Sequence, residues 1–405
     1  MKKLFLAASL VALGCSREQP AAPQDSTPPV PAAAAAPAAV PPAPPNLLDM
    51  VHGAAVISRT GEAVLGSSPV RAIDTDPQTA WINPPQNVKQ TLVFSFGARA
   101  RVDQIGVVTA PKPPNEIKSA KFELSEDGEH FTDAGIHDFK AKPGPQLAKI
   151  NPTTARYVRV TTLTSEADYV QIASVYASGE LLDKPQAPSI DGCWSINGMP
   201  ARFRQSGAHV VGYVGSPLNT YVEGGTDGRF LRLTWLRSNT PEYGLAALTL
   251  TPDGKHLSAI VWHEEAIQAP QFLADDWLGE RGPCPIDVKA QPLVAVSYFE
   301  RFGYLPLYGL RFDDAGHFDE TQSAELLDEV VPYIKPGARF VAHELLGDPA
   351  ISQTRLDTLR AALQKRGVSL TGVDFVAMGN RDPRRPGTVD LVRAMYSSVE
   401  LQIRR

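Results

Sequence analysis

The sequence predicts a multidomain chain: a β-sandwich, then a small antiparallel β-meander or barrel, then an α/β layer, all behind a disordered Pro/Ala tether. Three observations carry this reading. Residues 47–183 are short strand-like runs broken by Gly, Pro, Asp and Asn, with almost no helical periodicity. Residues 189–286 keep strand composition and are bracketed by Cys193 and Cys284. Residues 293–405 alternate strands with amphipathic helices, the pattern of helices packed on a sheet.

The N-terminus comes first. Lys2 and Lys3 precede an apolar run from Leu4 to Leu13, and Ala12-Leu13-Gly14-Cys15 supplies a small-residue cleavage site. These residues suit any secretory signal. They also resemble the lipobox of bacterial lipoprotein signals, which implies residues 1–15 as signal and lipidation site, with Cys15 lipidated. Ser16 after the cysteine implies, by the same resemblance, an outer-membrane destination. Residues 16–46 are Ala, Pro and Gln with few large apolar side chains, so they cannot bury enough surface to offset their ordering entropy. As polyproline II at about 3.1 Å per residue, such a tether reaches roughly 90 Å.

Once Cys15 is assigned to lipid, Cys193 and Cys284 remain as an even pair in an exported chain, either a disulfide or two buried thiols. The net charge of −5 and the scattered basic residues give no nucleic-acid footprint. No other segment approaches eighteen consecutive apolar residues, so lipid is the expected membrane attachment.

Within residues 47–183, Thr91–Phe96, Val102–Val108, Lys121–Ser125 and Arg156–Val160 have strand composition or alternation, the spacing of a β-sandwich. Ala72–Trp81, Leu92–Gly97, Phe122–Gly128 with Phe131, and Ala155–Val160 resemble the discoidin, or F5/8 type C, family. The resemblance implies glycan or lipid-headgroup binding through loops at one end. It also implies one structural calcium, for which Asp74, Asp76 and Thr79 offer hard oxygen donors. Ser174 stands where the family often has a glutamate, and the same residues also suit an Asx turn with no metal. Trp81 is expected in the core.

Residues 189–286 run from Asp191-Gly-Cys-Trp194 to Trp277 and Cys284 through strands joined by Gly-containing turns. They resemble small lipocalin-like or avidin-like barrels. Trp194, Trp235 and Trp262 are expected to fill the interior.

In residues 293–405, Leu326, Leu327, Val330, Val331 and Ile334 share a helical face over 324–334, and Leu356, Leu359 and Leu363 share another over 352–366. Strands are expected at 340–342, 373–377 and 399–403. Leu310-Arg-Phe-Asp313, Ala324-Glu-Leu-Leu327, Val341-Ala-His343 and Leu356-Asp-Thr-Leu-Arg-Ala361 resemble the OmpA-like peptidoglycan-binding family. The resemblance implies a clamp for the zwitterionic diaminopimelate of a wall peptide: an anion for the ammonium, an arginine for the carboxylate. Arg360 stands at the family arginine and His343 in the strand-end motif. Leu345 stands at the family aspartate, leaving Asp348, three residues on, as the substitute; Tyr396-Ser397-Ser398 replace the family Asn-Arg-Arg.

No catalytic constellation is legible. His343-Glu344 and His263-Glu264 each lack the second histidine of a zinc His-Glu-x-x-His helix, and there is no Gly-x-Ser-x-Gly elbow or phosphate loop. The sequence therefore points to a non-enzymatic lipoprotein of the cell envelope, on the periplasmic face of the outer membrane, binding peptidoglycan or glycan. The alternatives are a scaffold for protein partners, or a hydrolase whose histidine and carboxylates meet only in a cleft.

Overall fold

The computed structural model describes residues 44–403 apart from 62–65, 86, 110–116, 141, 143, 239, 241, 264–273, 285–293, 383–386 and 388. The expected signal with Cys15, and the expected tether up to residue 43, lie outside the described residues. The tether's expected last residue already belongs to the fold: Asn46 is buried and donates through Nδ2 to Val175 O at 2.9 Å.

The first layer is a sandwich made from one strongly curved sheet. Its strands are β1 (Ala55–Arg59), β2 (Trp81–Ile82), β3 (Thr91–Thr109), β4 (Ile117–Ser125), β5 (Thr132–Asp138), β6 (Pro145–Ser165) and β7 (Gln171–Leu181). They are ordered β2-β7-β3-β6-β4-β5, with β1 also on β3. Strands β3 and β6 are long enough to serve both faces. β3 pairs with β1 through Leu92–Ser95, breaks register, and pairs with β7 from Ala100 on. Gly97 sits at that break because a Cβ there would meet His52 O at 2.0 Å. Inward side chains, Trp81, Phe94, Phe96 and Phe122 among them, are buried.

The second layer is a closed eight-stranded up-and-down barrel: β8 (Gly192–Ile196), β9 (Met199–Ser206), β10 (His209–Val214), β11 (Thr220–Thr226), β12 (Leu231–Arg237), β13 (Tyr243–Leu250), β14 (His256–His263) and β15 (Ala274–Arg281), with β15 returning to β8. Asn197-Gly198, both at positive φ, make the two-residue turn from β8 to β9. Cys193 and Cys284 are joined in a disulfide at the closing seam. Trp194, Trp235 and Trp277 pack with Phe203, Leu233 and Leu257 inside the barrel, so the interior is filled by its own side chains. Trp262 departs from the expectation. On β14 the alternation sends Leu257, Ala259 and Val261 inward, and Trp262 outward with Ile260 into the core shared with the sandwich.

The third layer is an antiparallel and parallel mixed sheet of β16 (Tyr304–Pro306), β17 (Ala338–His343), β18 (Asp374–Gly379) and β19 (Val399–Ile403) in the order β16-β19-β17-β18, with β17 parallel to β18. Its helices are α1 (Val294–Phe302), α2 (Glu320–Val330), α3 (Ile351–Lys365) and α4 (Asp390–Tyr396). Asp319 caps α2 by accepting from Gln322 N, so the helix starts at Glu320, four residues before the expected start, and Pro332 converts the last turn into a 3-10 turn. Leu326, Leu327, Val330, Leu356, Leu359 and Leu363 form the core under the sheet.

These layers are not separate beads. One core runs from the sandwich through the outward barrel residues Leu245, Ala247, Ile260 and Trp262 to Leu391 and Met395 of α4. Polar contacts cross the seams as well: Val56 N donates to Ser258 Oγ at 2.9 Å and Ser68 N to Asp276 Oδ2 at 2.7 Å.

Candidate functional site

A depression of about 550 Å³ opens where the 184–186 linker, the β11–β12 hairpin and the third layer meet. Its chemistry is of both signs. Arg229, Arg232, Arg311 and Arg355 line it together with Asp227, Asp313, Asp314 and Glu344. At its floor Arg355 Nη2 lies 2.7 Å from Glu344 Oε2, both side chains less than one-fifth exposed. The loop after β17 folds back over the same carboxylate: Glu344 Oε1 accepts from Gly347 N at 2.9 Å and Leu346 N at 3.3 Å. Burial lowers the affinity of Arg355 for its proton, and Glu344 opposes that. Against its own burial, Asp227 is held below the usual carboxylate range by Arg229 and Arg232. Arg232 in turn donates to Ser397 O at 2.6 Å and Ala394 O at 3.2 Å, fixing the end of α4 to the barrel.

The residues expected for a wall-peptide clamp do not converge here. Arg360 lies with its guanidinium 4.3 Å from the ring centre of Phe375 on β18 and does not line the depression. Five residues separate Arg355 from Arg360, about 140° around a helix, so only one can face the opening. Asp348 is exposed and accepts from Ala350 N at 2.9 Å, ordering the entry to α3. His343 is 2% exposed, with Nδ1 at 3.1 Å from Arg381 O and carboxylates of Asp382 and Glu400 at 3.7 and 3.9 Å. Leu345 is buried in the shared core. A charged pair does lie in the depression, Glu344 and Arg355, one residue before Leu345 and five before Arg360.

In the sandwich, Asp74, Asp76 and Thr79 do come together. Thr79 Oγ1 donates to Asp74 Oδ2 at 2.7 Å, Asp76 N donates to Asp74 Oδ1 at 3.0 Å, and Gln78 N to Asp76 Oδ1 at 2.9 Å, an Asx-turn network. The cation facing Asp74 is Arg71, 3.5 Å away and as buried as its partner. Ser174 Oγ is turned to Ala72 O at 3.3 Å. Of the two carboxylates, Asp76 Oδ2 alone is a buried oxygen without a hydrogen bond. Apart from that oxygen, the two carboxylates are engaged within the turn and by Arg71. Burial raises the Asp74 pKa to about 7, with Arg71 and Thr79 pulling against it.

A smaller depression of about 290 Å³ at the seam with α4 holds His52, Asp49, Asp76, Asp390 and Tyr176. Burial, then the nearby Asp390 and Asp74, push Asp49 well up, while burial and Arg229 push His52 down. Both shifts favour neutral side chains. The hydroxyl of Ser174, which also lines it, is engaged with Ala72 O.

The first layer is thus an antiparallel β-sandwich with a buried acidic turn. Residues 57–175 match the model of the F5/8 type C domain family, so this layer carries that family's domain. No curated protein matches the chain. Solved structures similar to the sandwich include the C-terminal domain of a chitobiase from Bacteroides fragilis, 20% identical over 32% of this chain and 96% of that one, with a TM-score of 0.30. Another is CBM32-3 from a family 31 glycoside hydrolase of Clostridium perfringens, 21% identical over 32% and 92%, TM-score 0.29. A third is the family 32 CBM of C. perfringens NanJ in complex with galactose, 16% identical over 31% and 98%, TM-score 0.26. Likenesses at this level carry no conclusion about this chain's ligand.

Proposed function

We propose that this chain is a non-catalytic binding protein of a bacterial cell envelope, lipid-anchored through Cys15 on the periplasmic face of the outer membrane, whose cleft takes a zwitterionic ligand of the kind a wall peptide stem presents. The observation that carries this reading is the Arg355–Glu344 pair at 2.7 Å on the floor of a cleft lined by further guanidiniums and carboxylates. A ligand bearing an ammonium and carboxylates exchanges this internal ion pair for two of its own, so little charge is left unpaired in either state. The OmpA-like resemblance of residues 293–405 points to the same ligand class. The F5/8 type C domain adds a carbohydrate-binding-like module, and two weak sites on one chain raise effective concentration at a glycan-rich wall.

Co-sedimentation of the purified chain with peptidoglycan sacculi tests this. The whole chain is required, because α4 is fastened to the barrel by Arg232. Pelleting that is lost in Arg355→Ala and Glu344→Gln and retained in Arg360→Ala is the expected result. Absence of pelleting by the unaltered chain overturns the wall ligand and leaves a scaffold for envelope proteins.

A further inference from the structure

A second cluster of titratable groups lies outside the cleft, between the barrel and the third layer. His209 opens β10 and points outward, 2% exposed, under helix α2. Its Nε2 lies 3.4 Å from Glu223 Oε1 on β11 and 3.9 Å from Glu329 Oε2 on α2, and its Nδ1 lies 3.8 Å from Glu325 Oε1, one turn earlier on the same helix. Arg204 on β9 meets Glu325 Oε1 at 2.6 Å. Three carboxylates therefore face one imidazole and one guanidinium.

That balance is poor for a buried seam. His209 Nε2 and Glu329 Oε2 are both buried without a hydrogen bond. Carboxylates gathered so closely in a buried seam need a proton or a cation between them. One imidazole with two or three carboxylates is a donor set for a divalent transition ion, and harder ions such as calcium and magnesium favour all-oxygen shells.

We infer that His209, Glu325 and Glu329, whose ligand atoms lie within 4.8 Å of one another, with Glu223 adjoining, form a divalent transition-metal site that clips helix α2 to barrel strands β10 and β11. Contraction to about 3.3 Å between donors, the spacing that tetrahedral zinc imposes, needs only small side-chain shifts. The side chains of Glu325 and Glu329, each 28% exposed, give the ion a route in. Ligation takes a ring nitrogen of His209, with Glu223, Glu325, Glu329 and Arg204 the charged groups that face the ring.

The test uses the purified chain stripped with chelator and titrated with zinc chloride in a calorimeter, with calcium and magnesium chlorides as controls, beside thermal unfolding. One equivalent of zinc with a raised Tm, neither reproduced by calcium or magnesium, is expected. His209→Ala is expected to take up none, and Glu329→Gln to bind at least about 100-fold more weakly. Glu329→Gln changes a partly exposed side chain, so it serves even if His209→Ala does not fold. Absence of zinc uptake by the folded chain, or uptake unchanged in Glu329→Gln, overturns the site. The outcome is independent of whether the cleft binds wall peptide.

Discussion

Arg232, on the outer face of barrel strand β12, donates through Nη1 to Ser397 O at 2.6 Å and Ala394 O at 3.2 Å at the end of α4. One guanidinium thus bonds two carbonyls at a helix end, where Ala394 O otherwise has, among the described residues, only Ser397 N at 3.2 Å, and it does so from a different layer. The consequence is cooperative: barrel and third layer share a buried charged contact.

Arg232→Ala is expected to destabilise the chain by about 2–4 kcal/mol, since hydrogen bonds from a charged group are lost and their acceptors stay buried. Urea unfolding followed by tryptophan fluorescence and by far-UV circular dichroism measures this. Coincident transitions by the two probes in the unaltered chain are expected from the shared core.

Trp262→Ala is expected to cost about 3–5 kcal/mol, the range for deleting a large buried side chain. The loss falls on the seam between barrel and sandwich, because Trp262 faces outward. Limited proteolysis separates the readings: cleavage that releases an intact barrel fits a weakened seam, whereas degradation of the barrel itself would place Trp262 in the interior.

Asp74 has its pKa raised to about 7 from 3.8, so between about pH 4 and 7 the folded chain holds a proton that the unfolded chain has released. The contribution is complete at low pH and is lost as pH rises through that interval, at up to about 1.4 kcal/mol per pH unit. Asp49 and Asp76, also raised by burial, act in the same sense. His52, lowered by burial, acts in the opposite one. Asp74→Asn is therefore expected to lose less stability than the unaltered chain between pH 5 and pH 7.5, read as the difference in urea midpoints. An identical decline in both chains would show that Asp74 ionises in its ordinary range.

The Cys193–Cys284 bridge closes a loop of sequence separation 91. In the chain-entropy view such a bridge is worth about 4–5 kcal/mol, and the paired variant Cys193→Ser with Cys284→Ser is expected to lose up to that amount. Gly282 N still reaches Cys193 O at 3.2 Å, so the barrel seam keeps a backbone contact and the variant is expected to fold. Thermal unfolding with and without reductant checks both statements.

Much of the architecture was legible because it follows from local periodicity. Alternating strands and Gly turns announced the sandwich and barrel, and the leucine spacing in 352–366 announced α3. Helix α4 was not read, because its span of Asp390–Tyr396 makes only about two turns, too short for a helical stripe to stand out.

By itself the sequence determined the order of the layers, the F5/8 type C domain and the pairing open to Cys193 and Cys284, since each depends on residue types within one short run or on a simple count. Only the tertiary structure decided which face each element shows. Arg355 rather than Arg360 enters the cleft because α3 packs on β17 and β18, with Arg360 laid over Phe375. Trp262 points out because closure of the barrel fixes the inside of every strand. His209 meets Glu325 and Glu329 across more than a hundred residues of chain, a distance over which no periodicity carries information and only the packing of α2 on the barrel sets the contact.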